Sequence, residues 1–501
     1  MADGPTHRPR WRRIVLRGGV VLVALYVLLL IPEASPPMPK GAGQQPFVWN
    51  HDTFWSALEA KFIATRKLSA GECEAQFDRS LKQVYHALDS INATNLPPDA
   101  PAFEELEMEF FQLAPLAAAC PARMGDFMKA AGQMRDHVKW HSQYWPPDSV
   151  EARRRIYRLL YGGRAAVEEA LLQSPQATNA LQVNHNYELP KTPGAEVRGV
   201  MVQSGDILVS RGGAATSALI ARGNDFPGNF SHIALVHVDA QTKKVSVIEA
   251  HIESGVGVRS IEAYLTETKL RILLLRPHGL LPALAADPML PHKAASLALS
   301  NALAGHIPYD FAMDHTDPAK QFCSEVASAA YLTQGVTLWA GVSHLSTPGV
   351  TSWLAALGVR NFETQEPSDL EYDPQLRVVA EWRDPDTLFK DHVDNGVIAA
   401  LLEGAERGER LAHNHWLLPP VRLMKAWSVV LNQFGKVGPI PEGMSATTAL
   451  RVDWLKANHA AIAARVMVAA EKFKAARGYP PPYWELLRMA REAKTGLNPR
   501  K

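Results

Sequence analysis

Two apolar, β-branched runs at residues 233–238 and 245–252, joined by the short link 239–242, commit this chain to at least one antiparallel hairpin. With a turn centred on Ala240-Gln241, Val236 faces Val245, Ala234 faces Val247 and His232 faces Glu249. Side chains alternate with period two along a strand, so all three pairs share one face. A histidine then stands opposite a carboxylate behind an apolar row. In that arrangement an acid orients an imidazole and stabilises its protonated form.

The surroundings of the hairpin define the class of domain. Short β-rich runs at 207–209 and 272–275 lie on either side of it, and helices follow from about 293 to 303 and from about 320 to 332. Strands first and helices afterwards predict an α+β domain over residues 196–385. Its flanks read differently. Residues 53–172 carry helical apolar spacing, as in Phe77, Leu81, Tyr85 and Leu88, with breaks at Pro97-Pro98, Pro121 and Pro146-Pro147, which predicts four or five helices within a region 41–190. Helices are also expected at 397–411, 420–434 and 445–476, within a C-terminal region 386–501. A chain of 501 residues is expected to form two to four domains.

The second helix of the α+β segment opens on Gln321-Phe-Cys-Ser-Glu-Val326. A thiol in the first turn of a helix feels the positive end of the macrodipole, and a nearby imidazolium lowers its pKa further. Cys323 is therefore expected to be partly thiolate at neutral pH and a competent nucleophile. The carboxylate of Glu325, in the same first turn, is favoured there by the dipole and reads as structural. His251 and Glu253 share the strand face of Glu249 and would reach the site if the hairpin slipped by one pair.

Together these segments resemble a known family. Gly205-Asp-Ile-Leu208, Ser231-His-Ile-Ala234, Val247-Ile-Glu-Ala250, Tyr309-Asp-Phe311 and Phe322-Cys-Ser-Glu-Val326 are similar to the permuted NlpC-type cysteine hydrolases, in the YiiX/YebB-like branch. The order His, acid, Cys marks the permutation. The resemblance runs over residues 196–385, including Pro367-Ser-Asp-Leu370 and Val378-Val-Ala-Glu-Trp382, and leaves out both helical flanks. It implies a permuted papain-like fold, a small antiparallel sheet or barrel packed on helices. It further implies amide or ester cleavage through an acyl-enzyme, with Cys323 as nucleophile, His232 as general base and Glu249 as the orienting acid. The oxyanion would be met by N–H groups at the helix start. Substrates in such a family range over peptide, amide and lipid acyl bonds, and an acyltransferase of the same chemistry, or a non-enzymatic scaffold, remains an alternative. No cofactor or metal is expected. His137 and His141, four residues apart, lack a third ligand and read as a solvated helix face. Tyr309 and Asp310 read as a turn packing the sheet, and Asp206 as the residue holding the turn before the first strand.

The N-terminus bears on location. Arg8, Arg10, Arg12, Arg13 and Arg17 precede an uncharged run at 18–31. This pattern suggests an export signal or an uncleaved signal anchor in the inner membrane, followed by a linker at 33–48 and leaving the bulk of the chain in the periplasm. The run is short for a span, which needs about 20 residues. Three cysteines occur; Cys73 and Cys120, both in the helical region, are expected to pair and leave Cys323 free. A net charge of +1 gives no electrostatic footprint for nucleic acid.

Overall fold

The computed structural model describes residues 10–31, 33, 39–49, 52–92, 95–174, 181–183 and 191–497. Arg8 and most of the expected linker before residue 39 lie outside them. Helix α1 (Arg10–Leu29) carries Arg10, Arg12, Arg13 and Arg17 in its first half, so only its second half is free of charge. No helix among the described residues is long and apolar enough to cross a membrane.

The N-terminal helical region contains α2 (Asp52–Thr65), α3 (Ala70–Ile91), α4 (Pro101–Ala119), α5 (Met124–Ser142), α6 (Val150–Ile156) and α7 (Gly162–Gln173). A π-helical turn at Tyr157–Tyr161 joins the last two. Ser69 and Glu72 form a capping box that starts α3. Phe77, Phe103, Phe110 and Phe127 fill its core. Cys73 and Cys120 are joined by a disulfide, with Cα atoms 6.0 Å apart, and Cys323 is free. His141 is not on a solvated face. It is fully buried, with Nε2 2.7 Å from the carbonyl of Ile91 and Nδ1 accepting from the Leu96 N–H. A histidine can satisfy a donor and an acceptor of passing backbone at once, which spacing along a helix does not reveal.

The central sheet has seven antiparallel strands. They are β1 (Leu181–Val183), β4 (Ile207–Gly212), β5 (His232–Val238), β6 (Val245–His251), β7 (Gly255–Ser260), β8 (Lys269–Pro277) and β11 (Leu376–Arg383), in the order β1-β11-β8-β4-β5-β6-β7. Ile207, Ile233, Leu235, Ile248 and Leu273 point to one face, covered by α11 (Leu290–Ala304) and α12 (Cys323–Leu332). Leu208, Ala234, Val236, Val247 and Leu274 point to the other. That side is closed by the hairpin of β2 (Gly194–Val197) and β3 (Val200–Gln203) and by α9 (Ile261–Thr266). Gly205 lets the chain turn into β4. Its φ is +97°, and a Cβ there would lie 2.3 Å from Pro291. Asp206 holds this turn, accepting from the Gln203 N–H at 2.7 Å and pairing with Arg276.

Beyond the sheet, α13 (Pro348–Leu357), α14 (Pro385–Glu406), α16 (Ala446–Arg477) and α17 (Tyr483–Leu497) share one core with α8 (Ala215–Arg222). Helix α15 (Leu418–Gln433) packs beside α16 and touches α1. Helix α14 starts twelve residues before the expected 397, because Asp384 caps it through the N–H groups of Asp386 and Thr387 and Pro385 occupies its first position. Helix α8 is too short, at eight residues, for apolar spacing to announce it.

A buried web of charge ties the regions together. Arg164 on α7 grips Glu371 through two nitrogens, at 2.7 and 2.8 Å, and reaches Glu168 at 3.0 Å. Arg271 on β8 bridges Glu168 and Asp391, the latter at 2.6 Å, and Arg211 on β4 meets Asp391 at 3.2 Å.

Candidate active site

Strand β5 begins at His232, so the imidazole stands at the open end of a strand whose later residues are buried. The segment leading to it is fastened from the far side of the chain. Ser368, in the Pro367-Ser-Asp-Leu370 motif, accepts from the Phe230 N–H and donates to the Phe230 carbonyl, both at 2.9 Å. Gly228 makes room for this, since a Cβ there would sit 2.3 Å from the Ser368 side chain. The Ser231 N–H then bonds the Ser210 carbonyl, and β5 enters the ladder.

The hairpin register differs from the expected one by one pair. Val236 pairs with Val247 and Ala234 with Glu249, because the connection from Asp239 to Lys244 is centred one residue later than expected. Asp239 fixes that connection by accepting from the N–H groups of Gln241 and Thr242. His232 is consequently diagonal to Glu249 and still reaches it: Nε2 lies 2.6 Å from Oε2. The slip brings in His251, whose Nε2 is 2.9 Å from the other carboxylate oxygen, and Arg259 approaches the same oxygen at 3.4 Å. Glu253 is exposed in the turn after β6 and takes no part.

Helix α12 lays its N-terminal turn against the start of β5. The Cys323 sulfur accepts from the N–H of Ile233, the residue that follows His232. Glu325 closes back on the helix start, its carboxylate accepting from the Phe322 N–H at 2.7 Å, in keeping with a structural role. Tyr309 packs against the cluster that holds Cys323, and the strand-like contact between Tyr309 and Gln321 places the Tyr309-Asp-Phe311 turn beside the nucleophile's helix. Asp310 secures that turn by accepting from the Ala312 N–H.

The electrostatics correct one expectation. Burial pushes the Cys323 thiol up to about 12, with the nearby Glu366 adding to it, and hydrogen bonds from Ile233 and Ser324 only partly oppose this. The resting thiol is therefore protonated, because desolvation of a thiolate outweighs the helix dipole. Burial also lowers His232 below its ordinary value, against the pull of Glu249. Burial would raise Glu249, but the hydrogen bonds from His232 and His251 prevail and hold it well below the usual carboxylate range. The resting set is thus a thiol, a neutral imidazole and a carboxylate. An ionised Glu249 accepts Nε2–H, which leaves Nδ1 unprotonated and able to take a proton.

Glu366 escapes sequence reading. It is buried, its Oε2 has no hydrogen-bond partner, and burial together with Asp369 raises it well above the ordinary range, so it stands as a neutral acid near the thiol. Nothing in the local sequence separates it from an ordinary loop glutamate.

His232, Glu249 and His251 offer three ligand atoms within 4.8 Å of one another. They do not fit a metal as they stand. Two nitrogen or oxygen ligands of one tetrahedral zinc lie roughly 3.3 Å apart, whereas His232 and Glu249 are in direct hydrogen-bond contact at 2.6 Å.

Residues 201–380 match the model of a family described as permuted papain-like amidase enzyme, YaeF/YiiX, C92 family. No curated protein and no solved structure matches the chain.

Proposed function

From the place of residues 201–380 in the permuted papain-like amidase family, we propose that this chain is a cysteine hydrolase that cleaves an amide or ester acyl bond through an acyl-enzyme on Cys323. The observation that carries the reading is the bond from His232 to Glu249, made at the end of a strand whose next N–H engages the Cys323 sulfur. In this reading Nδ1 of His232 takes the thiol proton as the sulfur attacks the substrate carbonyl carbon. The carbonyl oxygen becomes an oxyanion beside the Cys323 N–H, which has no carbonyl one turn earlier in its helix to bond. Collapse expels the amine, which leaves with the proton held on His232. Water, deprotonated by the same nitrogen, then cleaves the thioester and releases the acid. Glu249 keeps the ring in the required tautomer and offsets the charge of the imidazolium. Because the thiol is protonated at rest, proton transfer accompanies attack instead of preceding it.

Candidate substrates are cell-wall peptides, small amides and acylated lipids. The Cys73–Cys120 disulfide supports a location outside the cytoplasm, where such bonds persist, and the basic, partly apolar α1 supports delivery there by export.

The test uses a panel of p-nitroanilides and p-nitrophenyl esters. Cys323→Ala and His232→Ala should each remove nearly all turnover, and the double variant should be scarcely worse, since thiol and base serve one step. A folded Cys323→Ala protein that turns over at the original rate ends this reading.

A further inference from the structure

Helix α15 is amphipathic in the wrong sense for a soluble surface. Its inward side carries Leu418, Pro419 and Ser428 buried, with Lys425 half-buried and donating to the carbonyls of Pro441 and Glu442. Its outward side carries Leu423, Met424, Trp427, Val430 and Phe434, spaced to form one stripe and exposed by 42–73%. Large apolar residues scattered singly on a surface need no explanation, but a continuous stripe does.

A second apolar element adjoins the stripe. The Tyr26 hydroxyl of α1 donates to the Trp416 carbonyl at 2.7 Å, and Arg422 donates to the Leu29 carbonyl at 2.8 Å, so the apolar end of α1 is fastened to the start of α15. From Val15 to Leu28 the large side chains of α1 are exposed on every side, not along one stripe. A protein groove covers one side of a helix; only an apolar solvent covers all of them.

We propose that α15 lies in the surface of a lipid bilayer, with its outward stripe at the boundary between headgroups and acyl chains, beside an inserted α1. The chemistry is that of an interfacial helix. Trp416 and Trp427 supply rings with an apolar body and a polar N–H, suited to that boundary. Arg17 and the exposed Lys436 supply cations for anionic headgroups. Helix α1 is too short in uncharged residues to span, so its apolar half dips into the acyl layer from one side while α15 lies at the boundary. The proposal is independent of the catalytic reading, since no residue of the site belongs to α1 or α15.

The full chain is mixed with vesicles of phosphatidylethanolamine and phosphatidylglycerol doped with dibrominated phosphatidylcholine, and tryptophan quenching is read. Insertion of α1 alone brings no bromine to Trp427, so the informative quantity is the quench lost in Trp427→Phe. Wild type should show a clear loss of emission, and Trp427→Phe should lack a measurable part of it. Leu423→Glu with Phe434→Glu should lower the vesicle-bound fraction about tenfold while amide turnover in solution is unchanged. These two sites are exposed, so the variant should fold. Unaltered quenching in Trp427→Phe would overturn the proposal. So would a Leu423→Glu, Phe434→Glu protein that binds vesicles normally but changes from dimer to monomer by light scattering, which would make the stripe a contact between copies.

Discussion

Glu249 serves two imidazoles, and that sharing sets the pH behaviour of the site. Its charge raises His232 while burial lowers it, and burial prevails. The base acts when neutral, so activity should climb with pH around a midpoint below the ordinary 6.5. Glu249→Gln removes the raising influence, so that midpoint should move further down even as kcat falls by roughly 10²–10⁴-fold through loss of the correct tautomer. A pH profile of kcat/KM for both proteins checks the direction; a midpoint that moves up would contradict the assigned pairing. Cys323 offers an independent test. Because burial holds its thiol near 12, alkylation by iodoacetamide should keep accelerating past pH 10, where an unhindered thiol has levelled off. At this scale the sequence singles out Cys323, His232 and Glu249 as candidates, since each lies in a short motif. His251 is legible only as a neighbour that a slipped register would bring in, and Glu366 not at all, because its effect depends on burial and has no local signature.

Among the elements, those with strong periodicity were the legible ones. β4, the β5–β6 hairpin, β8, α11 and α12 appear where apolar runs and turn residues put them. The hairpin's register was missed by one pair, since the turn depends on how the Asp239 carboxylate is satisfied, which alternation leaves open. Of β11 only Val378 to Trp382 belongs to a motif, and β7, with two glycines in six residues, has little pattern to read. The disulfide between Cys73 and Cys120 pins α3 to the end of α4, far along the chain from the site. Replacing both cysteines with Ala should cost about 2–4 kcal/mol of stability. Turnover per folded molecule should remain unchanged, as read by denaturant titration alongside an active-site count.

At the scale of the whole molecule, a buried set of charges links the helical flanks to the sheet. Arg271 lies between Glu168 of the N-terminal helices and Asp391 of the C-terminal ones, and Arg164, Arg211 and Glu371 complete the web. Arg271→Met would leave two buried carboxylates short of a partner and should destabilise the protein by about 3–5 kcal/mol, measured by urea unfolding. Loss of less than 1 kcal/mol would mean the web is better solvated than its burial implies. Sequence alone could not reveal this web, because its members are scattered from residue 164 to residue 391 and each looks like an ordinary surface charge. The web also bears on descent. Such a set of charges is costly when half-built, so the flanks and the sheet cannot have been joined one residue at a time without compensation. Relatives that possess the sheet but lack these flanks should carry apolar or small residues where Arg211 and Arg271 stand, and a relative that keeps both arginines without the flanks should bring its own acids to meet them.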